Sequence, residues 1–320
     1  MIFKLQLTLY YEGVTKILMK HIFKIYLMAT TVLFSGMIDH KLTSNPMSTM
    51  DSKSIKFLDA KELNFKSRNL IEVKELSALA YKDTTLYALT DKGVLLDFTI
   101  KIEDNKIKGL TLNKLTKLRN KKNEVLKKSH RDSEGLSFIG SDLLISFERK
   151  ARVEVFSTQG IKIKSKKIHQ DLKDIKNFRS KNKALEAVAY NEKYGVVTAP
   201  EKSLSTFTGK GHVLYAKDRI WKFPASGSIT ALEFMSKNKL MILERKLNDF
   251  SRRRVTTISM LNLKNNNYQV LAKLDSRDGW NLDNFEGLTK VDKRRYLMIS
   301  DDNDSFFQKT LLVLFEVSLK

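Results

Sequence analysis

The 320-residue chain contains no cysteine, only three prolines and only thirteen glycines. Without thiols it has no disulfide framework, no Cys-ligated zinc or iron–sulfur cluster and no cysteine nucleophile. So few Pro and Gly rule out long Pro- or Gly-rich linkers. Histidine is also scarce: His21, His40, His130, His169 and His212 show neither H-x-x-x-H nor H-E-x-x-H spacing, which excludes a zincin site. No G-x-S-x-G elbow and no G-x-G-x-x-G or G-x-x-x-x-G-K-[ST] loop occurs, so an α/β-hydrolase nucleophile and the common nucleotide cradles are absent. Acidic residues are outnumbered, 36 against 58 basic, for a formal net charge of +22. At 42% hydrophobic and 29% charged, the rest is an ordinary globular composition.

One long apolar stretch stands near the start, residues 25–38, behind the basic run Lys20-His21-Ile22-Phe23-Lys24. It is shorter than the roughly 20 residues that a membrane span needs and matches a signal-peptide apolar region behind a positive segment. Met19 directly precedes the basic run and is the expected translation start. No clean A-x-A cleavage motif follows, so a cleaved signal and an uncleaved anchor both stay open. Residues 1–54 are read as signal or anchor plus linker, residues 55–320 as the fold, and the protein as exported, in the periplasm or its equivalent.

Five segments of the remainder align on one another: they start at Ser77, Glu134, Glu186, Thr230 and Glu286. Each begins with a polar residue followed by Ala or Gly and then Leu or Val. After a polar turn, each enters a second apolar strand that ends near an acid. The starts are 57, 52, 44 and 56 residues apart, the period of propeller blades rather than helical solenoids. The predicted fold is an all-β propeller of five or six four-stranded blades, the ring being closed by an N-terminal strand over residues 56–66. A β-sandwich with chance alternation is the competing reading. Helix is expected only in loop pieces, at residues 172–179 and 120–128.

In a propeller the first strand of each blade lines the central channel, so Glu134, Glu186 and Glu286 converge on one axis. Converging carboxylates repel unless a cation lies between them, and calcium suits an all-oxygen cage. Second-strand ends add Asp91, Glu148, Glu201, Glu244 and the run Asp301-Asp302-Asn303-Asp304. Two of these acids are followed by arginine, Arg149 and Arg245, which could bind phosphate bidentately or merely brace a strand end. His130, four residues before Glu134, could orient a substrate or donate a proton; a solvated loop histidine is the plainer reading.

The segments Asp132-Ser133-Glu134-Gly135-Leu136, Ala184-Leu185-Glu186-Ala187-Val188, Asn284-Phe285-Glu286-Gly287-Leu288-Thr289 and Ile299-Ser300-Asp301-Asp302-Asn303 together resemble the bacterial phytase-like family, described as esterase-like activity of phytase. The resemblance implies an exported propeller, calcium held by Glu134, Glu186, Glu286, Asp301 and Asp302, and phosphoester hydrolysis. Glu134, Glu286 and His130 would be catalytic, with Arg149 and Arg245 facing the phosphate. The chain departs from established β-propeller phytases in lacking a DDPA-type segment and in having Ser77 and Thr230 where the other repeats have glutamate. The basic runs 114–131, 162–183 and 245–254 carry almost no aromatics apart from Phe178 and Phe250, so the expected partner is a small phosphorylated molecule rather than nucleic acid. The protein is read as a monomer. A non-catalytic envelope propeller with structural calcium is the alternative.

Overall fold

The apolar runs are short, β-branched-rich and bounded by turn residues, and in the computed structural model they stand as five antiparallel sheets around one axis. Residues 35–44, 54–65, 74–180, 184–248, 253–305 and 307–318 are described. The chain enters through β1 (Ser35–Asp39) and β2 (Ile55–Phe65). Blade 1 is β3 (Leu76–Lys82), β4 (Thr85–Thr90), β5 (Val94–Glu103) and β6 (Lys106–Lys117). Blade 2 is β7 (Ser133–Ile139), β8 (Asp142–Phe147), β9 (Arg152–Phe156) and β10 (Lys162–Lys166). Blade 3 is β11 (Leu185–Asn191), β12 (Gly195–Pro200), β13 (His212–Ala216) and β14 (Arg219–Phe223). Blade 4 is β15 (Ser228–Phe234), β16 (Lys239–Asn248), β17 (Arg253–Asn262) and β18 (Asn267–Asp275). Blade 5 takes β19 (Asn284–Lys290), β20 (Arg295–Asp301) and β21 (Leu311–Val317) from the C-terminus.

The predicted ring closure is present: β2 pairs antiparallel with β21, from Ile55 opposite Val317 to Glu62 opposite Leu311. Five blades, not six, complete the circle, each inner strand packing on the next. Between each pair of successive sheets lies one apolar cluster; blades 4 and 5, for example, enclose Met241, Ile258, Phe285, Met298 and Phe315. Such face-to-face burial of alternate residues is what holds sheets together without disulfides.

Two readings of the linker regions change. Ser35–Asp39, the end of the apolar run and its following acid, is a fifth strand outside β2, with Asp39 ion-paired to Lys61. Leu42 is buried against the core, Ser44 N–H donates to Gly279 O at 2.9 Å, and Phe57 meets Trp280 ring to ring at 5.4 Å. The folded body therefore begins before residue 55. Met19, the basic run and the apolar run up to Phe34 lie outside the described residues. The expected helices also differ. Residues 172–179 hold parts of two 3-10 turns, Gln170–Leu172 and Ile175–Asn177, and the segment after β6 is a turn with an Arg119–Val125 bridge that ends in the 3-10 turn Lys128–His130. Lysine-rich segments hold a helix only where a continuous apolar stripe is buried, and the first of these short loops buries only Leu172 and Phe178. The third repeat's outer strand, β14, was not anticipated.

The polar-then-small signature at each repeat start has a structural cause. In all five inner strands the pairing skips one residue: Ser77, Glu134, Glu186, Thr230 and Glu286 are each the extra residue of a β-bulge. A bulge re-aims its side chain out of the sheet alternation, here toward the axis. The small residue after it faces the neighbouring blade. A Cβ on Gly135 would lie 2.4 Å from Ser146 Oγ and 2.7 Å from Glu186 O; one on Gly287 would lie 2.7 Å from Ile299 Cγ2 and 3.0 Å from the Leu79 backbone nitrogen. Five blades make a narrow ring, and the axial void beneath the mouth is only about 10 Å³. Gly135→Ala and Gly287→Ala are each expected to cost about 1–3 kcal/mol by overpacking against backbone that cannot yield. Gly109→Ala on the outer strand, where the nearest atom is 3.6 Å away, should change stability by less than about 0.5 kcal/mol. Urea unfolding of the three variants checks this, and equal losses at all three positions would refute the packing account.

Candidate functional site

The five bulge residues divide by chemistry. Ser77 Oγ donates to Ser133 O at 2.9 Å and Thr230 Oγ1 to Phe285 O at 3.1 Å, so the two hydroxyls stitch adjacent blades. Glutamate at those places would lose these bonds, which accounts for the departure of the first and fourth repeats. Glu134, Glu186 and Glu286 stand at the mouth of the channel. Around two of them the second strands and loops gather further acids. Carboxylate oxygens of Asp132, Glu134 and Glu148 lie within 4.8 Å of one another, and so do those of Glu148, Glu186 and Glu201. Glu148 belongs to both groups.

A calcium ion with oxygen ligands at about 2.3–2.6 Å spans about 4.6–5.2 Å between opposite ligands. The spacing in both triads, and a donor set made wholly of oxygens, fit that ion. Glu148, Glu186 and Glu201 are buried, at 8%, 6% and 5% relative exposure. Burial drives Glu148 and Glu186 toward their neutral form, and their acidic neighbours add to it. Glu134 and Glu186 are pushed well above the ordinary carboxylate range, by desolvation first and then by Glu186 and Glu201 respectively. Glu148 is raised to about 7 by burial and then by Asp132. A cation would reverse each shift, because it supplies the charge the buried oxygens lack.

Glu286, expected in the same cage, has its own partner. Arg245 Nη1 lies 2.7 Å from Glu286 Oε1 and also donates to Asn284 Oδ1, while Asn284 Nδ2 donates to Glu286 Oε1 at 2.8 Å. Arg245 Nη2 is 3.9 Å from Glu201. Burial works against the guanidinium's charge, but Glu286, Glu186, Glu201 and Asp301 outweigh it and hold the group firmly protonated. Arg245 is thus an internal counter-charge rather than part of a basic exterior. Arg149 is half exposed, with Nε 2.9 Å from Asp132 Oδ2.

The remaining predicted residues separate. Asp301 is raised to about 8 by burial and then by Glu286, so it belongs to the Glu286 side of the mouth. Asp302 is a turn residue: Oδ1 accepts from Glu75 N at 3.0 Å and Asp304 N at 3.2 Å, and Oδ2 from Thr310 Oγ1 at 3.3 Å. Glu244 accepts from Ser226 N and Gly227 N at 3.2 and 3.3 Å and from Ser259 Oγ and Tyr268 OH at 3.2 and 2.9 Å, which uses both oxygens in bracing blade 4. His130 sits on the exposed turn, its ring between Ser129 Oγ at 3.0 Å and Lys150 Nζ at 3.1 Å. Partial burial and the charges of Lys150 and Arg152 lower its pKa, keeping it neutral. Its ring contacts are Ser129 and Lys150, and no triad carboxylate is among them. Asp132 was missed as a ligand; its position two residues before a channel glutamate, matched by Asn284 before Glu286, was the available signal.

The fold and mouth define a five-bladed propeller whose channel entrance is lined by carboxylates. The chain belongs to the phytase-like family, described as esterase-like activity of phytase, whose family model matches residues 71–304. No curated protein matches the chain. Among solved structures it is similar to the PQQ-bound aldose sugar dehydrogenase of Streptomyces coelicolor, at 10% identity and TM-score 0.45, covering 83% of this chain and 98% of that one. It is also similar to the glutaminyl cyclase of Myxococcus xanthus, at 10% identity and TM-score 0.43, covering 77% and 92%. Neither likeness bears on the chemistry of the mouth.

Proposed function

We propose that the protein is a calcium-dependent phosphoester hydrolase acting on a small phosphorylated anion. The observation that carries this reading is the pair of carboxylate triads joined at Glu148. Asp132, Glu134, Glu148, Glu186 and Glu201 would hold the cation, which when bound supplies Lewis acidity toward a phosphoryl oxygen and a more acidic water. Arg149 would orient the phosphate by paired N–H donors, and the excess positive charge of the molecule would draw anions toward it. Arg245, already engaged with Glu286, shapes the wall instead of binding substrate. Glu134, besides facing the cation, would handle a proton near the substrate. The exposed turn position of His130 gives it no such role.

The basic and apolar N-terminal segment supports export to the periplasm or an equivalent compartment, with that segment, where uncleaved, as the membrane tether, and the protein acts as a monomer. A second reading, a binding module with structural calcium, is favoured by the deep burial of Glu148, Glu186 and Glu201 and by the closed axis beneath them.

Calcium titration with thermal melting, followed by phosphate release from phytate and from an aryl phosphate, tests both. At calcium 100-fold above its Kd, stabilisation of about 2.7 kcal/mol is expected, a rise of roughly 5–10 °C in Tm for a domain of this size. Glu148→Gln should abolish most of that rise because both triads lose a ligand. Stabilisation with no turnover on either substrate leaves the binding-module reading; no calcium effect on the parent protein defeats both.

A further inference from the structure

A second concavity of the molecule is lined by bases rather than acids. A groove of about 700 Å³ runs between blades 2 and 3, lined by Lys164, Lys166 and Lys167 on one side and by Lys193, Lys217 and Arg219 on the other. It continues into a hollow of about 420 Å³ past Lys173. The β11–β12 and β13–β14 turns that form its second wall lie at the ends of their strands opposite Glu186. At about 3.3 Å per strand residue this puts those two turns roughly 15–20 Å from Glu186.

The two hollows are lined by seven Lys/Arg side chains and one carboxylate, Asp218, which lies 3.2 Å from Lys217. Lys164, Lys166, Lys167 and Lys173 form no ion pair among the described residues. Gathering like charges along one trough raises the local potential and attracts a partner carrying several negative charges in a row. The aromatic wall decides against bases. The Tyr194 ring stacks on Phe234, meets Trp221 edge-on at 5.6 Å and has Lys193 Nζ 5.0 Å from its centroid. Trp221 is buried with Nε1 donating to Leu263 O at 2.9 Å. Neither ring offers the free face that base stacking needs. A flat bilayer would not follow a concave trough, and the exposed Ile163 and Ile220 are not in the lining.

We propose that this groove binds a linear phosphate polymer without bases, held through its phosphates by the lysine row. The site is independent of the calcium reading. Binding of short-chain inorganic polyphosphate to the full protein, measured in EGTA so that no divalent cation bridges ligand to the acidic mouth, tests it. Affinity should fall steeply with added salt. Combined Lys164→Glu, Lys166→Glu, Lys167→Glu and Lys173→Glu should weaken binding by about tenfold or more. The same number of reversals at the exposed Lys108, Lys121, Lys122 and Lys264 should weaken it by no more than about twofold. If the groove variant fails to fold, the corresponding lysine-to-glutamine variant must still lose more affinity than its control. The proposal is overturned if the parent does not bind, if both variant sets weaken binding equally, or if a single-stranded oligonucleotide or phosphatidylglycerol vesicles bind the same lysines more tightly than polyphosphate.

Discussion

Arg245→Met is expected to lower the stability of the protein by about 3–5 kcal/mol, the usual loss when one partner of a buried ion pair is removed, and Tm by roughly 10 °C or more. The guanidinium contacts Glu286 at 2.7 Å, donates to Asn284 and faces Glu201 at 3.9 Å. With methionine in its place Glu286 keeps the bond from Asn284 Nδ2 and remains buried at 6% exposure. It must then take up a proton or draw water into the wall. Arg245→Lys should recover only part of the loss, because one ammonium cannot reach both sides of the mouth in the fork geometry of a guanidinium. Urea unfolding at neutral pH measures both variants. A loss below about 1 kcal/mol for methionine would place Arg245 among ordinary surface pairs and remove its structural role.

In calcium-free buffer the protein is expected to become less stable as pH rises from about 6.5 to about 8.5. Glu148 is raised to about 7 and Asp301 to about 8, and Glu134 and Glu186 are raised well above their ordinary range, desolvation being the first cause in each. A carboxyl whose folded pKa exceeds its unfolded one binds more protons when folded, so its stability contribution is lost as pH climbs through the folded value. Each such group can contribute up to about 1.4 kcal/mol per pH unit while it titrates. His212, lowered to about 4 by burial, works in the opposite direction, but its effect is half spent at about pH 6.5 and gone by about pH 7.5. The carboxylates lowered by basic partners, Asp39, Asp275 and Asp304, titrate below the ordinary value of 3.8 and stay silent in this window. Calcium should invert the trend, since ionised ligands bind it better at higher pH. Melting curves at stepped pH in EGTA and in excess calcium check this. A calcium-free Tm that is level or rising between pH 6.5 and 8.5 would show that the mouth acids are solvated rather than buried.

How far the site could be read in advance depended on where each residue sits in the repeat. Glu134, Glu186 and Glu286 were legible because a bulge recurs at the same point of every inner strand and turns its residue to the axis. The outer reaches of the repeat were less constrained. Glu148, Glu201 and Glu244 occupy matching places at second-strand ends, yet the first two join the channel glutamates and the third is claimed by backbone amides and Tyr268. Which outcome occurs depends on loops of unequal length that repeat spacing does not describe. The apolar N-terminal run shows the same limit, since its last residues satisfy the free edge of β2 as an outer strand.

The basic composition, first a sign only of an anionic partner, divides in three dimensions. One arginine neutralises the mouth from within, another stands at its rim, and a row of lysines on the outer edge of blade 2 lines a trough between two blades. The sequence by itself determined the strand repeat, its period, the closing strand and the three axial glutamates, because those follow from local alternation and from one bulge repeated five times. The absence of cysteine, too, already required any bound cation to find oxygen ligands. Only the tertiary structure decided the number of blades, the sharing of Glu148 between two triads, the capture of Arg245 by Glu286 and the diversion of Asp302 and Glu244. Each of these depends on distances between side chains carried by different blades, which are set by how the sheets pack around the axis.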